Sequence, residues 1–261
     1  MPIADKPLAT TKVLVTRPAH QAAAFCRMIE SAGGEAIRFP VIDIVPATNQ
    51  GAVSQQLQQL DEYDIAIFIS ANAVGHTISL CPQGLPSALK IAAVGNKTAA
   101  CLRAQGIPVD IVPKQGFNTE ALLESPLLHV VQGKRIAIIR GVGGRETLAE
   151  TLTQRGAKVN YIEVYQRALP EQRLSNIMDY QNCDIIAVTS QQGLRNLIAL
   201  TDDRDWLFNT ALACNSQRTA SLARELGFHQ DIVTSQEPDD EAMKATIINW
   251  QQRCNKSRQQ A

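Results

Sequence analysis

Small, hydroxylic and basic residues stand directly after several apolar runs of this sequence. Ser70 follows the run at 65–69, and Ser190 follows shortly after the run at 185–188. In open parallel sheets, ligands bind at the carboxyl ends of the strands, where helix N-termini offer free N–H groups. Small and hydroxylic residues allow close backbone approach and basic residues add charge, which suits an anionic ligand such as a carboxylate or phosphate. The candidate binding residues are Arg17, Ser70, Asn72, Gly95, Asn96, Lys97, Thr98, Arg140, Gly141, Gly143, Arg145, Thr189, Ser190, Ser216 and Arg218.

The glycine-rich run at 141–146 invites comparison with dinucleotide-binding loops. It follows a predicted strand and opens a predicted helix, but Glu146 stands where the third glycine of that fingerprint is needed. The glutamate adds bulk at a close-packing point and negative charge near the place of a pyrophosphate. The six cysteines form no CxxC pair and have no close histidine partner. We therefore expect neither a nucleotide cofactor nor a bound metal.

Candidate catalytic side chains are few. The four histidines lie on different segments without an evident partner, which favours solvated or capping roles. Tyr165 is the exception, because it lies on an extended segment, 162–170, where its side chain could reach a cleft. Its phenol is a plausible weak acid, and it is equally plausible as an aromatic group packed at a domain junction. Arg17, Arg140 and Arg145 similarly divide between ligand anchors and surface ion pairs.

Alternating apolar runs and amphipathic segments predict the elements that must position these residues. Runs that are apolar on both faces indicate central parallel strands covered by helices on each side, in a doubly wound α/β architecture. The predicted strands are 13–16, 36–39, 65–69, 91–94 and 109–112, and then 136–139, 159–162, 185–188, 211–214 and 231–233.

The second set of strands repeats the first about 120 residues later. The segment from Val13 to Arg17 returns at Ile136 to Arg140, and Ser70 returns at Ser190. Two copies of one α/β unit are the simplest explanation, and a cleft between two like domains is a favoured place for a small-molecule site. Segments 39–46 and 162–170 interrupt the pattern and are predicted to connect the domains.

The composition of the chain limits the classes of partner that it can bind. At 261 residues the chain is long enough for two domains. Lys+Arg and Asp+Glu are both 25, so no global field gathers nucleic acid or anionic lipid. The first eleven residues lack a signal-peptide pattern, and no stretch is apolar enough to span a membrane. We expect a cytoplasmic protein that binds a small molecule, with a frayed tail over 253–261.

The loops and the second connector carry a resemblance to uroporphyrinogen-III synthases of the bacterial kind. It covers almost the whole chain in order. The matching stretches are LVTRP at 14–18, FISANAV at 68–74, AVGNKTA at 93–99, IIRGVGGRETLAETLTQRGAKV at 138–159, EVYQR at 163–167, VTSQQGLRNL at 188–197 and SQRTASLARELGF at 216–228.

The resemblance implies two α/β domains joined by a two-stranded β-ladder, with the first strand and helix of each copy exchanged into the other copy's domain. The discontinuous domain would hold 1–38 and 170–261, and the inserted domain 39–169. Implied too is a cofactor-free enzyme that closes hydroxymethylbilane, a polycarboxylate, to uroporphyrinogen III with loss of water and inversion of ring D. We expect a monomer, because no long apolar stripe is left over once each helix covers its sheet. Tyr165 would donate a hydrogen bond to the departing hydroxyl.

Two partners and one alternative complete these expectations. The substrate is a small tetrapyrrole, and the resemblance allows transient contact with the enzyme of the preceding step. The alternative is a non-catalytic, hinge-closing protein that binds an anionic small molecule. Such a protein usually carries an export signal, which the first eleven residues do not show.

Overall fold

The chain folds into two compact α/β units. The structure, a computed structural model, describes residues 6–116 and 118–260, with side chains described as far as residue 257. Unit 1 comprises the described residues of Met1–Asp43 and Ala168–Ala261, and unit 2 comprises those of Ile44–Arg167. The sequence places these two crossings a few residues away, at 38/39 and 169/170.

Unit 1 is built on a five-stranded sheet. Its elements are β1 (Lys12–Val15), α1 (Ala19–Ser31), β2 (Glu35–Arg38), β8 (Ile185–Val188), α8 (Gln191–Leu200), α9 (Arg204–Phe208), β9 (Ala211–Cys214), α10 (Gln217–Glu225), β10 (Ile232–Thr234) and α11 (Asp240–Gln260). The strand order is β10-β9-β8-β1-β2. Helix α1 shows why such segments fold as they do: its buried residues Ala22, Phe25, Cys26 and Ile29 recur at the helical spacing and form one apolar stripe.

Unit 2 is built on a second five-stranded sheet. Its elements are β3 (Asp43–Pro46), α2 (Gln50–Gln58), β4 (Ile65–Phe68), α3 (Ala71–Leu80), β5 (Lys90–Ala93), α4 (Asn96–Ala104), α5 (Thr119–Leu123), α6 (Pro126–His129), β6 (Arg135–Gly141), α7 (Thr147–Gln154) and β7 (Lys158–Ala168). The strand order is β3-β7-β6-β4-β5. All four residues of β4 are buried, as expected for a central strand with helices on both faces.

Each sheet draws strands from both halves of the sequence. In unit 1, β1 pairs in parallel with β2 on one side and with β8 on the other. In unit 2, β6 pairs in parallel with β7 and with β4. The first strand of each predicted repeat therefore lies beside later strands of the other repeat. The predicted fold class, two largely parallel α/β sheets, is confirmed by this arrangement.

The two predicted connectors differ in structure. The first is broken, because β2 ends at Arg38 and β3 begins only at Asp43. The second is not a separate strand, since β7 runs without interruption over Lys158–Ala168. Pro40 explains the difference: proline has no N–H for a strand ladder, and the second segment has no proline before Pro170.

Two predictions about elements are wrong. The predicted strand at 109–112 is only an isolated bridge between Ala92 and Ile111, in a segment flanked by Pro108 and Pro113. The tail predicted to fray belongs instead to α11, which continues to Gln260. Asp239 caps the start of that helix, because its Oδ1 accepts a hydrogen bond from the Ala242 N–H at 2.8 Å. Within the described ranges, no helix is long and apolar enough to cross a membrane.

Candidate functional site

Three of the predicted binding serines are helix N-caps at the carboxyl ends of strands. The Oγ of Ser70 accepts a hydrogen bond from the Ala73 N–H at 3.1 Å, and that of Ser190 accepts one from the Gly193 N–H at 2.9 Å. Ser216 does the same for the Thr219 N–H at 3.3 Å. Each serine oxygen accepts a hydrogen bond from its helix through one lone pair, and its own O–H proton remains available for donation.

Helix α4 begins differently from these three. Its N-cap, Gly95, has no side chain to accept a hydrogen bond, so the first-turn N–H groups lack a side-chain cap. Asn96 and Lys97 are exposed in that turn, whereas Thr98 is buried. Of these four predicted residues, Asn96 and Lys97 are open to solvent, whereas Gly95 and Thr98 are buried.

Tyr165 is buried in the hydrophobic core of unit 2, with 4% of its surface exposed. Its hydroxyl lies 3.2 Å from the Oγ of Ser70, and either oxygen can be the donor. Its ring stacks against the imidazole of His76, with centroids 5.6 Å apart and planes inclined by 23°. The ring therefore packs in the core of unit 2, and the hydroxyl is a hydrogen-bonded polar group.

The backbone of Gly141 packs closely against the ring of Tyr165. The two residues are neighbours across β6 and β7, where the register shifts at Gly141. A Cβ at position 141 would lie 2.5 Å from both Cε2 and Cζ of the Tyr165 ring. Any side chain there would collide with the ring, so the glycine makes room for the phenol in addition to any backbone contact with a ligand.

His76 is the residue that sequence reasoning missed. The expectation that it lacks a partner is wrong, because its ring contacts Tyr165. Burial lowers the pKa of His76 below its usual value, which favours the neutral imidazole. The available signal was spacing: on the predicted helix, His76 lies four residues after the candidate Asn72 and so on the same face.

Arg140 lies at the centre of a charged network in unit 2. Its Nε donates to Glu163 Oε1 at 3.3 Å and its Nη2 donates to Glu146 Oε1 at 3.1 Å. The guanidinium also stacks over the Tyr161 ring, 3.7 Å from the centroid. Arg140 is 8% exposed, so its guanidinium is nearly buried. It is already paired with two carboxylates.

Tyr161 and Glu146 complete the network. The Tyr161 hydroxyl donates to Glu146 Oε2. Burial, and then the hydrogen bond to Glu146, raise the pKa of Tyr161 to about 12. The same hydrogen bond, and then that from Arg140, lower the pKa of Glu146. The glutamate that breaks the dinucleotide fingerprint is thus an ionised partner of Arg140.

Arg17 and Arg145 are also paired with carboxylates. Arg17 forms an ion pair with Asp240 and lies over the Phe25 ring at 4.8 Å, and its buried Nε has no hydrogen-bond partner among the described residues. Arg145 is 79% exposed and lies 3.6 Å from Glu120. A pair this exposed contributes little to stability, so Arg145 can be released to a ligand at small cost.

The structure brings only part of the predicted set into contact. In unit 2, Tyr165 contacts both Ser70 and Gly141. The Gly143 N–H donates to Glu163 Oε1 at 3.1 Å, and the same oxygen accepts a hydrogen bond from Arg140. In unit 1, the first turns of α8 and α10 are joined, because Gln191 Nε2 donates to the Arg218 carbonyl at 3.2 Å. Thr189, like Asn72, is half-buried. Among the residues that are described, no cluster of histidine, cysteine and carboxylate side chains could hold a metal ion.

Solved structures with the same fold are uroporphyrinogen III synthases. One, from Helicobacter pylori 26695, superposes with a TM-score of 0.63 at 14% identity and covers 92% of this chain and 99% of its own. A mutant enzyme from the extremely thermophilic bacterium Thermus thermophilus gives a TM-score of 0.56 at 19% identity, covering 94% and 99%. At these identities the likeness shows the fold.

Sequence relatives carry the same name at higher identity. The uroporphyrinogen-III synthase of Escherichia coli K12 is 33% identical over 240 residues, which are 88% of this chain and 97% of the relative. That of Salmonella typhimurium LT2 is 34% identical over 241 residues, with the same coverage. A family model described as uroporphyrinogen-III synthase HemD matches residues 23–245. Since that match and these relatives span most of its length, the chain belongs to the uroporphyrinogen-III synthase HemD family.

Proposed function

We propose that this chain cyclises hydroxymethylbilane to uroporphyrinogen III, with loss of water and inversion of ring D, in tetrapyrrole biosynthesis. The observation that carries the proposal is family membership over residues 23–245. The site is compatible with such chemistry, because a cyclisation of this kind needs positioning of a flexible polycarboxylate more than a reactive nucleophile. No observation favours the alternative of a non-catalytic binding protein.

The reaction starts when the terminal hydroxyl leaves as water and the pyrrole nitrogen supplies the electron pair, giving an azafulvene cation. The substituted carbon of ring D then attacks the cation to form a spiro-pyrrolenine. Fragmentation and re-closure of that intermediate invert the ring, and loss of a proton from the newly bonded ring carbon restores the aromatic pyrrole. One weak acid suffices to assist the departure of the hydroxyl, because the pyrrole provides the driving force.

Tyr165 is our candidate for that acid. Ser70 can donate its own proton to the phenol oxygen while it accepts the Ala73 N–H, and the phenol proton is then free for the leaving hydroxyl. The same hydrogen bond would stabilise the phenolate oxygen as negative charge develops. Ser70 thus supports Tyr165, in addition to the binding role predicted for it.

The carboxylates of the substrate would bind at helix N-termini. Candidates within unit 2 are the first turns of α3 and α4, with Asn72, Gly95, Asn96 and Lys97, and Arg145 after β6. Candidates within unit 1 are the first turns of α8 and α10, with Ser190, Ser216 and Arg218. Each hydrogen bond to a charged oxygen contributes about 1.5–3 kcal/mol, so several loops must act together for tight binding. Arg17 can join them if a ligand displaces Asp240.

Removing one hydroxyl tests the acid role. Tyr165→Phe should lower kcat by roughly 100-fold with little change in KM, since a general acid typically contributes about 10²–10⁴-fold. The assay follows the III isomer formed from hydroxymethylbilane, against the I isomer that forms by unassisted closure. Tyr180→Phe is the matched control: Tyr180 packs on Trp206 in unit 1, and its loss of a hydroxyl should leave kcat unchanged.

The two levels of the proposal fail separately. Full activity of Tyr165→Phe would remove the acid role and leave the function intact. A wild-type protein that binds hydroxymethylbilane but yields only the I isomer would overturn the function and support the binding-protein alternative.

We also propose a cytoplasmic monomer that takes its substrate from the preceding enzyme through transient contact. The support is chemical: a substrate that closes unaided to the wrong isomer favours rapid transfer. Sedimentation of the pure protein should give a mass near 28.5 kDa. A stable dimer at micromolar concentration would contradict the monomer.

A further inference from the structure

The Tyr165 side chain is held at its ring as well as at its hydroxyl. The ring approaches the backbone of Gly141 so closely that a Cβ there would lie 2.5 Å from two of its carbons. The imidazole of His76 stacks on the ring from α3, with centroids 5.6 Å apart and an interplanar angle of 23°. The hydroxyl is 3.2 Å from Ser70 Oγ. The first contact comes from β6, and the other two come from α3 and its N-cap.

These three contacts restrict different motions of the phenol. The hydrogen bond to Ser70 alone would allow the ring to rock about the bonded oxygen. The Gly141 backbone is rigid and limits how far the ring can move toward β6. His76 is the only side chain found stacked on this ring among the described residues, so it limits tilting on the side of α3.

The nature of the stacked group fits a positioning task. His76 is half-buried, and burial lowers its pKa, so the neutral imidazole predominates near neutral pH. A neutral ring packs on the phenol without placing a positive charge beside the hydroxyl. It contacts Tyr165 and has no hydrogen bond or ion pair with any other described side chain.

We propose that His76 is a positioning residue for the reaction, which holds the Tyr165 ring in the orientation that keeps its hydroxyl on Ser70. The proposal rests on the acid role of Tyr165 put forward above. It predicts that the aromatic shape of residue 76 matters and that its ring nitrogens do not.

Two substitutions separate these properties. His76→Leu removes the flat ring at similar volume, and should lower kcat about 3- to 10-fold with KM within a factor of two, in line with the usual strength of an aromatic pair. His76→Phe keeps the ring and should restore most of kcat. His129→Leu, an exposed histidine of unit 2, is the matched control and should leave kcat unchanged.

A spectroscopic measurement reports the ring without reference to activity. Protein labelled with 3-fluorotyrosine gives one ¹⁹F resonance per tyrosine, and Tyr165→Phe identifies the resonance of interest. We expect that resonance to shift in His76→Leu, to return most of the way in His76→Phe, and to stay in place in His129→Leu. Urea midpoints of the variants verify that each is folded.

Three results would overturn the proposal. The first is a Tyr165 resonance that His76→Leu leaves unmoved. The second is an equal loss of kcat in the Leu and Phe variants, which would indicate that a ring nitrogen meets the substrate. The third is a rise in KM with kcat unchanged. If Tyr165→Phe proves fully active, the acid role fails alone, and the ¹⁹F shift still decides whether His76 positions the ring.

Discussion

Arg140 shows how a single residue acquires its role from partners that are distant in sequence. From the sequence alone, Arg140 could be either a ligand anchor or a member of an ion pair. The register of β6 and β7 places Glu163 beside it, and the following loop brings Glu146 to the same guanidinium. With two carboxylates and the Tyr161 ring around one cation, we infer that Arg140 holds the 141–146 loop in place more than it attracts a ligand.

At the scale of single residues, the testable prediction concerns Gly141. Gly141→Ala should lower the free energy of unfolding by about 1–3 kcal/mol, the usual cost of overpacking a filled site, because the new Cβ meets the Tyr165 ring at 2.5 Å. Activity should fall as well, since the ring must move. Urea unfolding and the isomer assay measure the two effects.

A second alanine substitution at a glycine is the control for Gly141→Ala. Gly75 lies in α3, where an added Cβ meets nothing within 4 Å. Gly75→Ala should therefore stabilise the protein by about 0.5–1 kcal/mol, because alanine is the better helix former. Equal changes in the free energy of unfolding for the two substitutions would show that the Tyr165 ring can move aside without cost.

At the scale of elements, helix starts after strands were the best-predicted feature. The serine at 70 and the serine at 190 adopt nearly the same backbone, with φ of −159° and −161°, and cap α3 and α8 in the same way. Their position at the carboxyl end of a strand follows from the apolar run before them. Their hydrogen bonds to the N–H three residues on are local, which is why a sequence pattern can indicate them.

Ser190→Ala tests the capping role. The loss of the bond from the Gly193 N–H should cost about 1 kcal/mol of unfolding free energy, measured in urea. Ser79→Ala in α3 is the control. The exposed Ser79 hydroxyl donates to the Gly75 carbonyl within the helix, and alanine has the higher helix propensity. A Ser190→Ala protein as stable as wild type would show that the cap contributes nothing.

At the scale of the whole molecule, the chain order and the spatial order differ. Strand β1, near the start of the chain, lies between β2 and β8, which is about 170 residues later in sequence. The core of unit 1 likewise joins Phe25 and Ile29 of α1 with Met243 and Ile247 of α11. Unit 1 therefore needs both ends of the chain, whereas unit 2 is one continuous segment.

Fragments make this difference measurable. We expect 44–167 alone to unfold cooperatively in urea, because two hydrophobic clusters and the whole sheet except one end residue of β3 and one of β7 lie within it. The fragment 168–261 alone should not, because it lacks β1 and the α1 side chains that fill its core. Adding a peptide of residues 1–43 should restore its circular dichroism. Cooperative unfolding of 168–261 by itself would contradict the dependence of unit 1 on β1 and α1.

The sequence by itself determined the α/β class, most of the strands, several helix starts and the family. These depend on local periodicity, on single residues such as proline and on the order of motifs along the chain. Proline also accounts for two local differences from the predicted elements: Pro40 interrupts the first connector before β3, and two flanking prolines reduce the strand at 109–112 to one bridge.

Only the tertiary structure decided which of the candidates meet. The contact of His76 with Tyr165 joins residues about 90 positions apart, and it requires α3 to pack on the sheet that holds β7. The pairing of Arg140 with Glu163 requires a register that no local pattern encodes. The physical reason is that apolar burial selects which elements come together, and the side chains at their junction follow from that packing.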